Sequence, residues 1–301
     1  MDRRSFLGVT AASVLAASAQ KVSAMVPESL KSVFDEKGIL VKFLGTGAAS
    51  GSGPNKLGRR HSAILVDNSF LVDLTDDSLD LIPEGLVPEA LFYTHSHPDH
   101  YDPAAALKLG VKKIYVSNTW FDIARKDYVK AAKELGVSMP QMYPMVVGAP
   151  VQIGEVTVTA VPANHATDNM LEQTVIYLLE KNGARLLYAT DTAGITGFAA
   201  RMIGIDAHKK PGNPITGLIM EATMGMDHEE DFRLYNHSSM MTVIHTVNVL
   251  MQTERLKLPA GDNVYVTHMS KSLHDPMPGI DARWPNPLKA ASDGLEVVFH
   301  A

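Results

Sequence analysis

Within the stretch Thr94-His95-Ser96-His97-Pro98-Asp99-His100, three imidazoles and one carboxylate fall close together at the end of an apolar run, Leu91 to Thr94, that reads as a strand. Neutral imidazoles fix a divalent transition metal, whereas a carboxylate tempers its charge and can bridge two ions. A loop after a strand can aim His95 and His97 at one ion and Asp99 and His100 at a second. The chain has no cysteine, so thiolate ligation is excluded and any metal is held by imidazole and carboxylate. The plain alternative is a surface loop that happens to carry histidines, and this spacing at a strand end argues against it.

The elements that must position these residues are legible as short apolar runs. Ile39 to Leu44 predicts a strand entering a glycine-rich loop, Gly45 to Gly53. Further strands are expected at Ala63 to Val66, Phe70 to Asp73 and Leu91 to Thr94, with Asp67-Asn68 turning between the first two. A helix should begin near Pro103, and an amphipathic one should run from Trp120 to Leu135 and stop at Gly136. Strands resume at Val156 to Val161, Thr174 to Leu179 and Leu186 to Ala189. Gly217 to Glu221, a helix from Ser239 to Met251, and Val264 to Thr267 complete a second strand-to-helix alternation. Two strand-rich halves, each followed by helices, predict a layered α/β sandwich rather than a doubly wound parallel sheet. The chain opens mainly as a meander and shows no internal repeat or long linker, so residues 25–301 are expected to form one catalytic domain.

His95-Ser96-His97-Pro98-Asp99-His100 fits H-x-H-x-D-H at every fixed position, and in this it resembles the metallo-β-lactamase superfamily. That family's pattern continues with a His, an Asp and a last His. This chain offers His165 in Pro162-Ala163-Asn164-His165, Asp191 in Tyr188-Ala189-Thr190-Asp191-Thr192, and His268 in Val266-Thr267-His268. The resemblance implies a four-layered αβ/βα sandwich. It also implies two divalent metal ions, zinc with manganese or iron as alternatives. One would be held by His95, His97 and His165 and the other by Asp99, His100 and His268, with Asp191 bridging. Two such ions activate water and clamp the attacking and leaving oxygens of a displacement, so the expected class is hydrolysis. Asp99 would also orient the water or take its proton.

Three further segments resemble the ribonuclease Z branch and its small-molecule phosphodiesterase relatives. They are Phe43-Leu44-Gly45-Thr46-Gly47-Ala48, with Arg60 and Ser62 ahead of the next strand; Leu218-Ile219-Met220-Glu221-Ala222-Thr223; and His237-Ser238-Ser239. By that resemblance Glu221 orients His237, and His237 protonates a leaving alkoxide, which is otherwise a poor leaving group. Met220 departs from the branch, which usually has His there, and Ser239 departs mildly. The other reading is that Glu221 merely ends a strand and His237 precedes a helix cap. Too few residues separate His165 from Asp191 to hold the arm with which the ribonuclease relatives grip tRNA. The glycine-rich loop could lend backbone N–H groups to an anion or could simply connect two strands.

Composition sets the outer limits. With 301 residues, 46% of them hydrophobic, the chain can bury a full core, and its formal charge of −6 does not suggest a surface for nucleic acid. The expected partner is a small molecule, most simply a phosphodiester. Arg3-Arg4, the apolar run Phe6 to Ala17 and then Ala17-Ser18-Ala19 have the order of a cleavable export signal resembling the twin-arginine type, over residues 1–24. The mature protein is then expected in the periplasm with no stable membrane insertion. Two alternatives stand beside phosphodiester hydrolysis: a carboxyl-ester, lactone or β-lactam hydrolase using the same ions, and a metal-binding protein without turnover.

Overall fold

The computed structural model describes residues 38–49, 58–206, 208, 212–275 and 279–301. The expected leader and the part of the glycine-rich loop from Ser50 onward lie outside them. The strands form two seven-stranded sheets. In the first, β1 (Ile39–Gly45), β2 (Ala63–Val66), β3 (Phe70–Val72), β4 (Ala90–Phe92), β5 (Lys113–Ser117) and β6 (Gln141–Met145) follow in chain order. In the second, β7 (Pro150–Ile153), β8 (Val156–Pro162), β9 (Val175–Lys181), β10 (Ala184–Ala189), β11 (Gly217–Glu221), β12 (Val264–Thr267) and β13 (Leu288–Ala290) do the same. The last strand, β14 (Glu296–Phe299), returns to the first sheet and pairs with β1.

Period-two alternation explains why the sheets stack as they do, because the central strands are apolar on both faces and neither face can be left to water. In β10, which is buried throughout, Leu186 and Tyr188 join the core between the sheets, while Leu187 and Ala189 join the core beneath the helices. The helices α1 (Pro103–Leu109) and α2 (Phe121–Leu135) share a buried cluster with the outer face of the first sheet. The helices α3 (Gly197–Met202) and α4 (Met240–Gln252) do the same on the second sheet. The result is the four-layered αβ/βα sandwich. Helix ends follow the sequence: Asp102 caps α1 through Ala105 N, Gly110 and Gly136 end α1 and α2 in the left-handed conformation, and Ser239 caps α4 through Thr242 N.

Two expectations need correction. The opening meander holds for β1 to β3, but β3, β4, β5 and β6 pair in parallel. The helices α1 and α2 lie between β4 and β5 and between β5 and β6, and such crossovers return the chain in the same direction. The expected strand Leu91 to Thr94 ends at Phe92, because Thr94 N leaves the ladder and donates to Asp73 Oδ1 at 2.8 Å. Among the described residues no helix is long and apolar enough to cross a membrane.

Candidate metal centre

Strand direction gathers the site. In the second sheet β10, β11 and β12 are mutually parallel, and β8 and β10 are both antiparallel to β9, so these four strands end at one edge. The residues just past those ends are His165, Asp191, Ala222 after Glu221, and His268. The turn after β4 in the first sheet supplies His95, His97, Asp99 and His100. Asp73, Asp191 and His268 all have positive φ, at 59°, 45° and 51°. Left-handed backbone at a non-glycine residue costs on the order of 1–3 kcal/mol, and here it falls at three strand ends that deliver side chains to one place.

Among the described residues three groups of potential ligands result: Glu221, His237 and His268 stand together at the edge of the centre, and two larger groups share Asp191. His95, His97, His165 and Asp191 form one, Asp99, His100, Asp191 and His268 the other, with the ligand atoms of each within 4.8 Å of one another. This is the grouping the family resemblance implies. Internal hydrogen bonding does not account for it. His97 Nδ1 lies 3.0 Å from His95 Nε2 and 3.1 Å from His165 Nε2, and one ring proton cannot serve both contacts. Asp191 Oδ1 is buried without a well-aligned hydrogen bond although His268 Nε2 is 2.9 Å away. Imidazole nitrogens that face one another at 3.0 to 3.2 Å around a buried carboxylate suit a shared cation, so the donor set fits divalent metal.

The backs of the histidines are held as metal ligands require. His165 Nδ1 donates to Asn236 O at 2.9 Å, and His100 Nδ1 to Asp73 Oδ2 at 2.8 Å. Thr94 gives its hydroxyl proton to Asp73, so its oxygen accepts from His95 Nδ1 at 2.9 Å. Thr223 gives its own to Glu221 and accepts from His268 Nδ1 at 2.9 Å. All four contacts place the proton on Nδ1 and leave Nε2 to face the centre. Burial pushes His95 down to about 3, helped by the charge of His100. Burial also opposes the charge on His268, but the neighbouring Asp191 carboxylate outweighs it and raises that residue to about 10. Asp99 and Asp191 are buried, which would raise them, yet the adjoining His100 and His268 hold both well below the usual carboxylate range. The carboxylates therefore demand positive charge at this spot.

His237 stands beside this centre. Its Nδ1 lies 3.0 Å from Glu221 Oε1 and 3.2 Å from Thr223 Oγ1, and its ring stacks on that of His268 with centroids 5.5 Å apart. Burial opposes protonation of His237, but the charge of Glu221 outweighs it and raises the imidazole. Glu221 is fully buried and also accepts from Thr192 N and Thr223 N, each at 2.9 Å. Its neighbour Met220 turns to the opposite face of β11 and packs in the core beneath the helices, where an apolar side chain suits the site. His97, Asp99, Asp191, His237 and His268 line one cavity of about 400 Å³.

Several supporting residues carry no motif signal. Asp73 ends a strand as many aspartates do, and Asn236 acts through its carbonyl. Glu172, far along the chain, accepts from Ser96 N at 2.8 Å and Ser96 Oγ at 2.6 Å, bracing the turn between His95 and His97. Thr223 could have been found from its place two residues after Glu221. The glycine-rich loop has a different role from anion binding over its described part. Thr46 N and Gly47 N both donate to Arg60 O, and Ala48 N donates to Met269 O. Met269 N donates back to Thr46 O at 2.9 Å, so the loop fastens the residue after His268. Gly45 is required there, since a Cβ would collide with the His61 carbonyl.

Comparison with known proteins agrees with this geometry. The sequence model described as a beta-lactamase superfamily domain matches residues 81–269. No curated protein matches the chain in sequence. Solved structures share the fold at low identity. YhfI from Bacillus subtilis is 14% identical with a TM-score of 0.61, over 87% of this chain and 99% of that one. The short form of human tRNase Z is 16% identical with a TM-score of 0.60, over 87% of this chain and 100% of that one. Zn(2+)-bound PqqB from Methylobacterium extorquens is 18% identical with a TM-score of 0.61, over 86% of this chain and 99% of that one. Matched over more than half its length by the family's sequence model, and carrying a donor set fit for a metal-dependent hydrolase, the chain belongs to the beta-lactamase superfamily.

Proposed function

We propose that this protein is a dinuclear metal-dependent phosphodiesterase acting on a small phosphodiester. The observation that carries the reading is the Glu221–His237 pair, an imidazole held at the edge of the donor groups by a buried carboxylate that favours its protonation. A departing alkoxide needs a proton, which this pair can supply, and together with the segments that resemble the phosphodiesterase branch the pair favours a phosphodiester over the carboxyl-ester and lactone alternatives, whose alkoxides have the same need. His95, His97, His165 and Asp191 would hold one ion, and Asp99, His100, Asp191 and His268 the other. Zinc is the first choice for such an imidazole and carboxylate set. When bound, the ions supply Lewis acidity that lowers the pKa of water and draws charge from the phosphoryl oxygens.

The chain's own groups complete the displacement. As water adds to phosphorus, its proton passes to the Asp99 carboxylate. The bond from phosphorus to the leaving oxygen breaks, and that oxygen takes the proton from His237 Nε2, because Nδ1 is held by Glu221. The products are a phosphomonoester and an alcohol. Among structural relatives, the human protein is a tRNase. The short β9–β10 connection at Asn182-Gly183 and the acidic balance support a smaller substrate here.

A substrate panel on metal-loaded protein tests the reading: bis-p-nitrophenyl phosphate, a cyclic nucleotide, a lactone and nitrocefin. Turnover of a phosphodiester is expected. Hydrolysis confined to the lactone or nitrocefin would favour the carboxyl-ester, lactone or β-lactam alternative, and no turnover of any of them a metal-binding role. We further propose twin-arginine export on the strength of Arg3-Arg4 and the apolar run behind them. Replacing both arginines by lysine should strand the precursor inside the cell, and unchanged processing would point to the general secretory route.

A further inference from the structure

Thr223 lines the cavity beside His237 and His268, and its hydroxyl stands where Glu221, His237 and His268 converge. Its Oγ1 lies 2.7 Å from Glu221 Oε2, 2.9 Å from His268 Nδ1 and 3.2 Å from His237 Nδ1. A hydroxyl has one proton to give and two lone pairs with which to accept. The Glu221 carboxylate only accepts, so the hydroxyl proton goes to its Oε2. Both imidazoles must then point an Nδ1–H at the same oxygen. Hydrogen bonds around one hydroxyl therefore account for the closeness of Glu221, His237 and His268, and no third cation is called for.

Glu221 has no freedom left to turn. Its Oε1 accepts from Thr192 N at 2.9 Å and His237 Nδ1 at 3.0 Å, and its Oε2 from Thr223 N at 2.9 Å and from the Thr223 hydroxyl. These contacts use the roughly four lone-pair sites of a carboxylate. Glu221, Thr223 and His268 are all buried, so a lost partner is not replaced by bulk water. The backbone of Thr223 is fixed by the two segments it serves. Its carbonyl accepts from Ser270 N at 3.2 Å, just beyond His268, and the next residue, Met224, pairs with Ser239, just beyond His237. Removing the hydroxyl alone leaves that frame in place.

We propose that Thr223 is a positioning residue that couples the two halves of the site. One hydroxyl holds the Nδ1 proton of His268, which leaves Nε2 to the donor group, and the Nδ1 proton of His237, which turns Nε2 to the leaving oxygen. Separate supports would let metal retention and proton delivery fail independently, whereas here a single substitution weakens both. The part played by His237 rests on the phosphodiesterase reading; the hydrogen bonds around Oγ1 do not.

Thr223→Val keeps the branched shape without the hydroxyl, and Thr223→Ser keeps the hydroxyl. In nitrogen-15 NMR of zinc-loaded protein, the Nδ1–H protons of His237 and His268 should exchange slowly with water. Thr223→Val should shift both resonances and Thr223→Ser neither. Zinc affinity, read by competition with a chromogenic chelator, should fall roughly 10- to 100-fold in Thr223→Val and recover in Thr223→Ser. With zinc saturating, Thr223→Val should lose roughly tenfold or more in kcat on an alkyl phosphodiester, with a smaller loss on its p-nitrophenyl counterpart. Loss of zinc affinity with the His237 resonance and the leaving-group ratio unmoved would overturn the coupling, as would the reverse. Fast exchange of either ring proton in the wild type would overturn it whether or not Thr223→Val folds. Turnover of neither ester, with zinc affinity and both resonances still moved by Thr223→Val, would overturn the phosphodiesterase reading and leave the coupling standing.

Discussion

His237 Nδ1 lies 3.0 Å from Glu221 Oε1, and through this contact a fully buried carboxylate fixes which imidazole nitrogen faces the cavity. In the proposed reaction the proton delivered is the one on Nε2, and its value depends on the leaving group. His237→Ala should keep metal and fold yet lose roughly 10²- to 10⁴-fold in turnover of an alkyl phosphodiester. With p-nitrophenol as leaving group, which departs readily without a proton, the defect should shrink markedly. Glu221→Gln should lose less than His237→Ala on the alkyl ester. An equal defect with both leaving groups would rule out the acid role.

Metal content tests the donor groups separately, because His97 belongs to one and His268 to the other. The wild type should bind two divalent ions per chain, and His97→Ala and His268→Ala should each bind fewer by elemental analysis. Stripping with a chelator should lower the melting temperature, since ions that bind only the folded state stabilise it by mass action. A variant that still held two ions would remove that histidine from the ligand set.

Asp73 reaches the centre only through His100 and Thr94, which accounts for its silence in the sequence. Asn tolerates left-handed backbone nearly as Asp does, so Asp73→Asn keeps the fold at this positive φ while removing the charge behind His100. Metal affinity should fall roughly 10- to 100-fold, the usual effect of losing such a partner. Competition against a chromogenic chelator measures it, and an unchanged affinity would make Asp73 a backbone brace alone.

His274 sets a pH limit away from the metals. Its Nε2 donates to Ala222 O at 2.7 Å, and burial lowers its pKa from 6.5 to about 4. The unfolded chain therefore takes up this proton at higher pH than the folded one. Stability is unaffected by this residue above about pH 6.5, declines as pH falls towards 4, and changes no further below that. The loss across the window is on the order of 3 kcal/mol. His274→Gln keeps a donor for Ala222 and removes the titration. Denaturant unfolding of both proteins from pH 7 to pH 4 should show the variant overtaking the wild type as pH drops, and parallel curves would contradict it.

Much of this site could be read from the chain alone because its residues are constrained locally. His95 to His100 sit in one turn, where chemistry and spacing coincide, and Asp191, Glu221 and His268 each stand at or just past the end of an apolar run that announces a strand. The end of α2 is legible for the same reason, since Gly136 acts on backbone only a few residues away. The strands β6, β7, β13 and β14 carry a weak sequence signal, being short, partly exposed or interrupted by proline as at Pro144. Only the tertiary structure decided that β3 to β6 run parallel, because direction within a sheet follows from where the crossover helices pack. It also decided that Asp73, Glu172 and Asn236 brace the site. Their roles arise from distances across two sheets, and no spacing along the chain encodes a contact between residues as far apart as Ser96 and Glu172.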